Sequence, residues 1–275
     1  MYRLTALLVF FFIGCGDSSS TTRPTPIPAP PQEAFSLSGS VADTAYRSLG
    51  DARVEIIAGS GAGTFTRTDS RGRFLMPGTF SDTVTIRALR EGYLPETTTV
   101  PPPNRPIPPV SSGEVRRWDV YLSLQPDGPS ANLAGAYTLT LSADSACTNL
   151  PEVARTRTYT AMIVPGFRPT PFVGRLSDAR IVPSLFSPYF EIAVAGDFTS
   201  ANIRFVERLD ETSYLAIDGG VAASVDLSGI TAPFSAYFLQ CRTEPTWSSG
   251  EYWSCGADTP GLECSSSNQL ALVRR

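Results

Sequence analysis

Cys15, Cys147, Cys241, Cys255 and Cys264 are the strongest nucleophiles and metal ligands in this 275-residue chain, and they have no basic helpers. The chain contains no histidine, and all 22 of its basic residues are arginine. Ser–His and Cys–His nucleophilic pairs therefore cannot be built, nor can His-rich catalytic metal sites. Schiff-base chemistry and P-loop phosphate binding need lysine and fall away too. What survives is acid/base work by two carboxylates, as in glycoside hydrolysis. The 26 acidic residues sit in no motif that pairs them, and most flank turns. A carboxylate-dependent glycoside hydrolase is thus the minor reading and a non-catalytic chain, with no cofactor and no metal, the main one.

Cys15 stands apart from the other four. It follows Arg3 and the largely apolar residues 4–13, a run too short to be a permanent membrane span but suited to a signal-peptide core. Phe12-Ile13-Gly14-Cys15 resembles the lipobox of bacterial lipoproteins, with Phe where Leu is usual. The resemblance implies cleavage after residue 14, a diacylglyceryl group on the Cys15 thiol and usually a further acyl chain on the freed amine. Several chains anchor far more firmly than one. Residues 1–14 are then the leader. Residues 15–33, rich in Ser, Thr and Pro, form an extended tether that buries too little to fold. The expected location is the bacterial envelope, at the outer membrane if the cell is Gram-negative, with the body in the periplasm or at the cell surface.

An even number of remaining cysteines in an exported chain predicts two disulfides with three possible connectivities. The favoured pairing is Cys255 with Cys264, closing a short loop around Pro260-Gly261, and Cys147 with Cys241, tying an early loop to the end of a late strand. A zinc site of four thiolates is the alternative, opposed by the lack of close Cys pairs and by the oxidising compartment.

Trp247, Tyr252 and Trp253 lie in a polar, glycine-containing stretch, residues 246–254. Such rings stack on sugar faces or anchor a protein partner, so these three are the candidate ligand-binding residues. Their structural alternative is to cover a barrel mouth and pack under a disulfide loop. Nucleic acid is not an expected partner: net charge is −4, and the arginines are dispersed, adjacent only at Arg116-Arg117 and Arg274-Arg275.

The elements that must position these residues read as strands throughout, making the chain all-β. In residues 34–125, Phe35, Leu37, Gly39 and Val41 alternate with serines, and the pattern recurs at Val54, Ile56, Ala58, at Val84, Ile86, Ala88, and at Trp118, Val120, Leu122, Leu124. Residues 68–75 read as a hairpin turn, capped by the Asp69 carboxylate and opened by Gly72. Ser38-Gly39-Ser40-Val41, Ala52-Arg53-Val54-Glu55-Ile56, Thr68-Asp69 with Gly72 and Phe74, and Arg90-Glu91-Gly92-Tyr93 together resemble the carboxypeptidase regulatory-like domain. That resemblance implies an Ig-like, transthyretin-like or starch-binding-like β-sandwich and no catalysis, since the zinc chemistry of carboxypeptidases lies in another domain. In envelope proteins such sandwiches act as spacers, adhesion modules or sugar binders. The proline-rich residues 101–109 read as a long loop inside the sandwich.

Residues 126–130 are breakers, read as a linker. In residues 131–275, alternation around Tyr137, Tyr159, Val173, Phe190, Ile203, Leu215, Phe234 and Leu270 predicts about eight strands at hairpin spacing, an antiparallel β-barrel or second sandwich. Turn cues fall at Gly196-Asp197, Leu209-Asp210-Glu211 and Asp218-Gly219-Gly220. Gly135-Ala136-Tyr137, followed by a short helical turn expected in residues 143–151, resembles the opening of a lipocalin-like barrel, which implies either a filled interior or room for one small ligand. The functional expectation is an envelope-anchored binding or structural module, for a carbohydrate or an envelope protein. A small hydrophobic-ligand carrier is the alternative.

Overall fold

A computed structural model describes residues 34–102, 116–166, 171–182, 189–226, 228–247, 253–256, 261–265 and 267–275. The regular structure of the described residues is almost all strand, and its two runs of strands build separate hydrophobic cores.

The first run comprises β1 (Phe35–Asp43), β2 (Arg53–Ala58), β3 (Phe65–Arg67), β4 (Arg73–Leu75), β5 (Val84–Leu89), β6 (Glu96–Val100) and β7 (Arg116–Leu124). Two sheets, ordered β4-β1-β7 and β3-β2-β5-β6, pack face to face. The predicted alternation fills the space between them: Phe35, Leu37, Val54, Ile56, Ile86 and Leu122 are buried in one cluster. β7 lies parallel to β1 and completes its sheet; of the proline-rich residues 101–109, expected as a long loop, 103–109 lie outside the described residues.

The 68–75 segment is a turn but not a hairpin. The Asp69 carboxylate accepts the backbone N–H of Arg71 and Arg73 at 2.8 Å each, and Gly72 has φ 74°. Yet β3 pairs with β2 in one sheet and β4 with β1 in the other, so the turn carries the chain across the sandwich. Gly39, opposite Phe74, shows why a glycine sits mid-strand: a Cβ there would strike the Val120 carbonyl and the Phe74 ring.

The second run comprises β8 (Gly135–Ser142), α1 (Glu152–Arg155), β9 (Thr156–Pro165), β10 (Phe172–Leu176), β11 (Tyr189–Ala195), β12 (Phe198–Arg208), β13 (Tyr214–Ser224), β14 (Gly229–Cys241), β15 (Thr246–Trp247), β16 (Trp253–Ser254), β17 (Leu262–Cys264) and β18 (Ser267–Arg274). The eight strands β8 to β14 and β18 form an antiparallel meander closed by the β13–β14 and β18–β8 pairings, the barrel expected from the sequence. Closure leaves it no free edges. Asp218-Gly219-Gly220, expected as a turn, lies inside β13. The helical turn is α1, just past the residues where it was expected, and Leu150 and Ala154 beside it join the barrel core.

Tyr137, Tyr159, Phe205, Phe234 and Phe238 are buried in one continuous cluster with the aliphatic residues of the barrel interior. Tyr159 and Phe205 meet edge to face with centroids 5.5 Å apart. Gly174 gives the Phe190 ring its place, because a Cβ there would overlap it.

Sandwich and barrel touch through the loop after β1. The Thr44 hydroxyl donates to the Val194 carbonyl at 2.6 Å, and the Arg47 guanidinium lies 4.3 Å from the Phe198 ring centroid.

Candidate functional site

Trp247 and Trp253 are cross-strand partners in the β15–β16 hairpin, their rings edge to face at 5.1 Å. The hairpin does not cover a barrel mouth. It packs on the outer wall, where Val206, Ala216 and Leu239 form one cross-strand row of β12, β13 and β14 and join Cys241 in a small apolar cluster. Trp253 is 1% exposed within it, so its ring offers no face to a ligand, and it is a packing residue where a binding residue was expected. Trp247 is half-buried, with the Arg204 guanidinium 4.4 Å from its ring centroid. Tyr252 and Cys15 lie outside the described residues.

The disulfides join Cys147 to Cys264 and Cys241 to Cys255, with Cα–Cα separations of 5.7 and 5.4 Å. This corrects the expected pairing, and the pleat of β14 supplies the reason. Phe238 points into the barrel, and Cys264, its partner in register, does the same and meets Cys147 in the interior cluster. Cys241, three residues after Phe238, falls on the opposite face and meets Cys255 beside the tryptophan hairpin. Bonding Cys147 to Cys241 would require a disulfide through the barrel wall. The same separation removes the four-thiolate zinc alternative, because the sulfurs share no centre.

The next rows of that outer wall are polar. Tyr237, Asp218 and Arg204 follow the apolar row, with Arg204 Nε 3.0 Å from Asp218 Oδ2. Beyond them Ser267, Ser235, Gly220, Asn202 and Glu191 run across five neighbouring strands in one register. Small side chains here leave a trough of about 1130 Å³, open to solvent, with Tyr46 of the sandwich at its rim. Gly219 faces inward, where a Cβ would strike Ala236. Gly220 faces the trough, where the nearest atom to a Cβ would be 3.7 Å away. Among the described residues that line the trough none is a lysine or arginine, and its charged members are Glu191 and Asp218.

No protein-family model matches the chain, and no curated protein sequence matches it. Its own geometry therefore bears the functional argument.

A second set of titratable groups lies inside the barrel near α1. Glu207, 3% exposed, accepts from Arg157 Nε at 2.9 Å and from the Tyr159 hydroxyl at 2.8 Å, and its other oxygen pairs with Arg157 Nη2. Burial, then the Glu207 charge, pushes the Tyr159 hydroxyl well above the usual tyrosine range. Every oxygen of the carboxylate is engaged, which suits a structural network and not a proton shuttle. Among the described residues no cluster of three or more acidic or thiol side chains is arranged to hold a metal ion.

The sequence reading missed the trough because Asp218-Gly219-Gly220 looked like a turn. The available signal was parity: Leu215, Ile217 and Gly219 continue the inward face, which leaves Asp218, Gly220 and Ala222 facing out.

Proposed function

We propose that the chain is a non-catalytic recognition module, held on a bacterial envelope membrane by lipid on Cys15, that binds a carbohydrate or a partner protein along the outer wall of its barrel. The trough carries this reading. Polar residues are usual on a solvent-facing wall; what sets this stretch apart is depth, a trough of about 1130 Å³ where Gly220 and its small neighbours in register lie below Tyr46. The sandwich, which resembles envelope spacer and adhesion modules, fits a role in holding the barrel at a distance from the lipid.

A carrier of hydrophobic molecules needs an interior cavity, whereas Tyr137, Tyr159, Phe205, Phe234 and Phe238 are buried together in the interior cluster of this barrel. A glycosidase needs two converging carboxylates. Asp218 in the trough is already engaged by Arg204.

Filling the trough tests the reading. Gly220→Arg adds a long side chain where the backbone has room, at a non-positive φ, so the barrel should fold. The full chain should retain an envelope polysaccharide or envelope protein that the Gly220→Arg variant releases. A ligand held equally by both proteins refutes binding in the trough.

A further inference from the structure

The turn that joins β1 to the rest of the sandwich is built to hold one aromatic ring in an unfavourable backbone conformation. Tyr46 has φ 65°, a region that bulky residues rarely enter, and it is 55% exposed. Asp43, fully buried, enforces this. Its Oδ1 accepts the N–H groups of Ala45 and Arg47 at 2.9 Å each, and its Oδ2 accepts Arg47 Nε at 2.6 Å. The flanking residues fasten the turn to the barrel, Thr44 on the Val194 carbonyl and Arg47 over the Phe198 ring. Backbone strain held in place by such a network marks functional positions. Its product here is an exposed phenol ring at the rim of the trough, supplied by the other domain.

We infer that the trough is a composite binding site for a neutral saccharide, with Tyr46 as the stacking platform and the outward row of β11 to β14 as the polar floor; the inference rests on the recognition reading above. The chemistry selects the ligand class. A sugar ring presents an apolar C–H face, which stacks on an aromatic ring, and an edge of hydroxyls that both donate and accept. Asn202, Ser235 and Ser267 can do both along one row. An anionic ligand would meet the Glu191 carboxylate with no arginine among the described lining residues to receive it, and Arg204, just outside the lining, is already paired with Asp218. An apolar peptide would find a floor of hydroxyl and amide groups. The strain also explains why the site spans two domains: Tyr46 sits over the trough only while Thr44 and Arg47 keep the sandwich docked.

The test uses the full chain, its Gly220→Arg, Tyr46→Gly and Tyr46→Trp variants, and neutral oligosaccharide probes (malto-, cello-, xylo- and chito-hexaose) titrated by calorimetry. Tyr46→Gly relieves the positive φ, so it should resist denaturant at least as well as the parent. At least one probe should bind the parent, be lost in Gly220→Arg, weaken about tenfold or more in Tyr46→Gly and be retained by Tyr46→Trp. Binding that is lost in Gly220→Arg but unchanged in Tyr46→Gly overturns the stacking platform and leaves the trough standing. No bound probe at millimolar concentration, with an envelope protein captured instead and released by Gly220→Arg, overturns the saccharide but not the recognition reading. Probe binding indifferent to Gly220→Arg overturns both.

Discussion

Removing the Glu207 carboxylate should be among the most damaging single changes to the barrel. The side chain is 3% exposed and holds two groups at once, Arg157 through both of its oxygens and the Tyr159 hydroxyl at 2.8 Å. Breaking a buried ion pair from one side costs about 3–5 kcal/mol, because the surviving charge stays desolvated. Arg157 keeps 24% of its side chain exposed and can recover some water, which places its share at the low end, about 3 kcal/mol. The Tyr159 hydroxyl, buried and left without its acceptor, adds about 1–2 kcal/mol. Glu207→Ala should therefore destabilise the barrel by about 4 kcal/mol, and Glu207→Gln, which keeps shape and acceptor but loses charge, by about half of that. Urea unfolding followed by tryptophan fluorescence in a Trp118→Phe background, where only Trp247 and Trp253 report, measures both, with an unchanged m-value as the check that only stability moved. In a double-mutant cycle, Tyr159→Phe and Glu207→Ala should couple by more than about 1 kcal/mol. A Glu207→Ala variant within about 1 kcal/mol of the parent would refute the view that this network is desolvated.

Peptide mapping of unreduced protein should recover Cys147 with Cys264 and Cys241 with Cys255; a peptide joining Cys147 to Cys241 would mean that β14 is out of register. Opening the 14-residue link with Cys241→Ser and Cys255→Ser should cost about 3 kcal/mol, and opening the 117-residue link close to 5 kcal/mol, by the loop-entropy relation. Hydrogen bonds from Arg87 and then Arg53 hold the Glu55 carboxyl below its usual range, so its contribution is complete above the ordinary carboxyl value of 4.5 and is lost as pH falls toward the native one. Glu55→Gln should flatten that acid arm of the stability curve. Tyr159 works in the opposite direction, since its raised value keeps the proton on in the folded state: stability is intact below about pH 10 and falls above it, and an unchanged alkaline arm in Tyr159→Phe would contradict this. Cys15→Ser should release the protein from membranes into the soluble fraction with no acyl mass on its N-terminal peptide; retention of the variant on membranes would remove the proposed lipid anchor.

The fold was legible because strand alternation is a local signal. Phe35, Leu37 and Val41, or Leu215 and Ile217, announce their inward face within a few residues, and each barrel strand lies beside its chain neighbour, so order along the sequence became order around the barrel. The site was less legible because it is made of what faces outward. Ser235, Gly220 and Asn202 are adjacent only through register, and register is fixed by pairings that no single strand reveals. The disulfides lie between these cases. Counting from Phe238 to Cys241 already puts that sulfur outside the barrel, but the inward partner, Cys264, belongs to a three-residue strand too short to show a period. The tryptophan stretch misled for the converse reason: its polar setting suggested a surface loop, and the apolar row of Val206, Ala216 and Leu239 that buries Trp253 comes from three other strands.

The two features that composition could not foresee explain each other. In the closed eight-stranded barrel Tyr159, Phe205, Phe234 and Phe238 are buried in the interior cluster, which is why the proposed recognition is placed on the outer wall. An outer wall of strands is nearly flat, and a flat polar surface holds a small molecule weakly because water competes for every contact. Depth has to be added from elsewhere. The Asp43 turn of the sandwich adds it by presenting Tyr46 beside the small residues of the wall. In this proposal the barrel supplies the floor of the trough and the sandwich supplies the Tyr46 ring, which gives a physical reason for fastening the two together through Thr44 and Arg47.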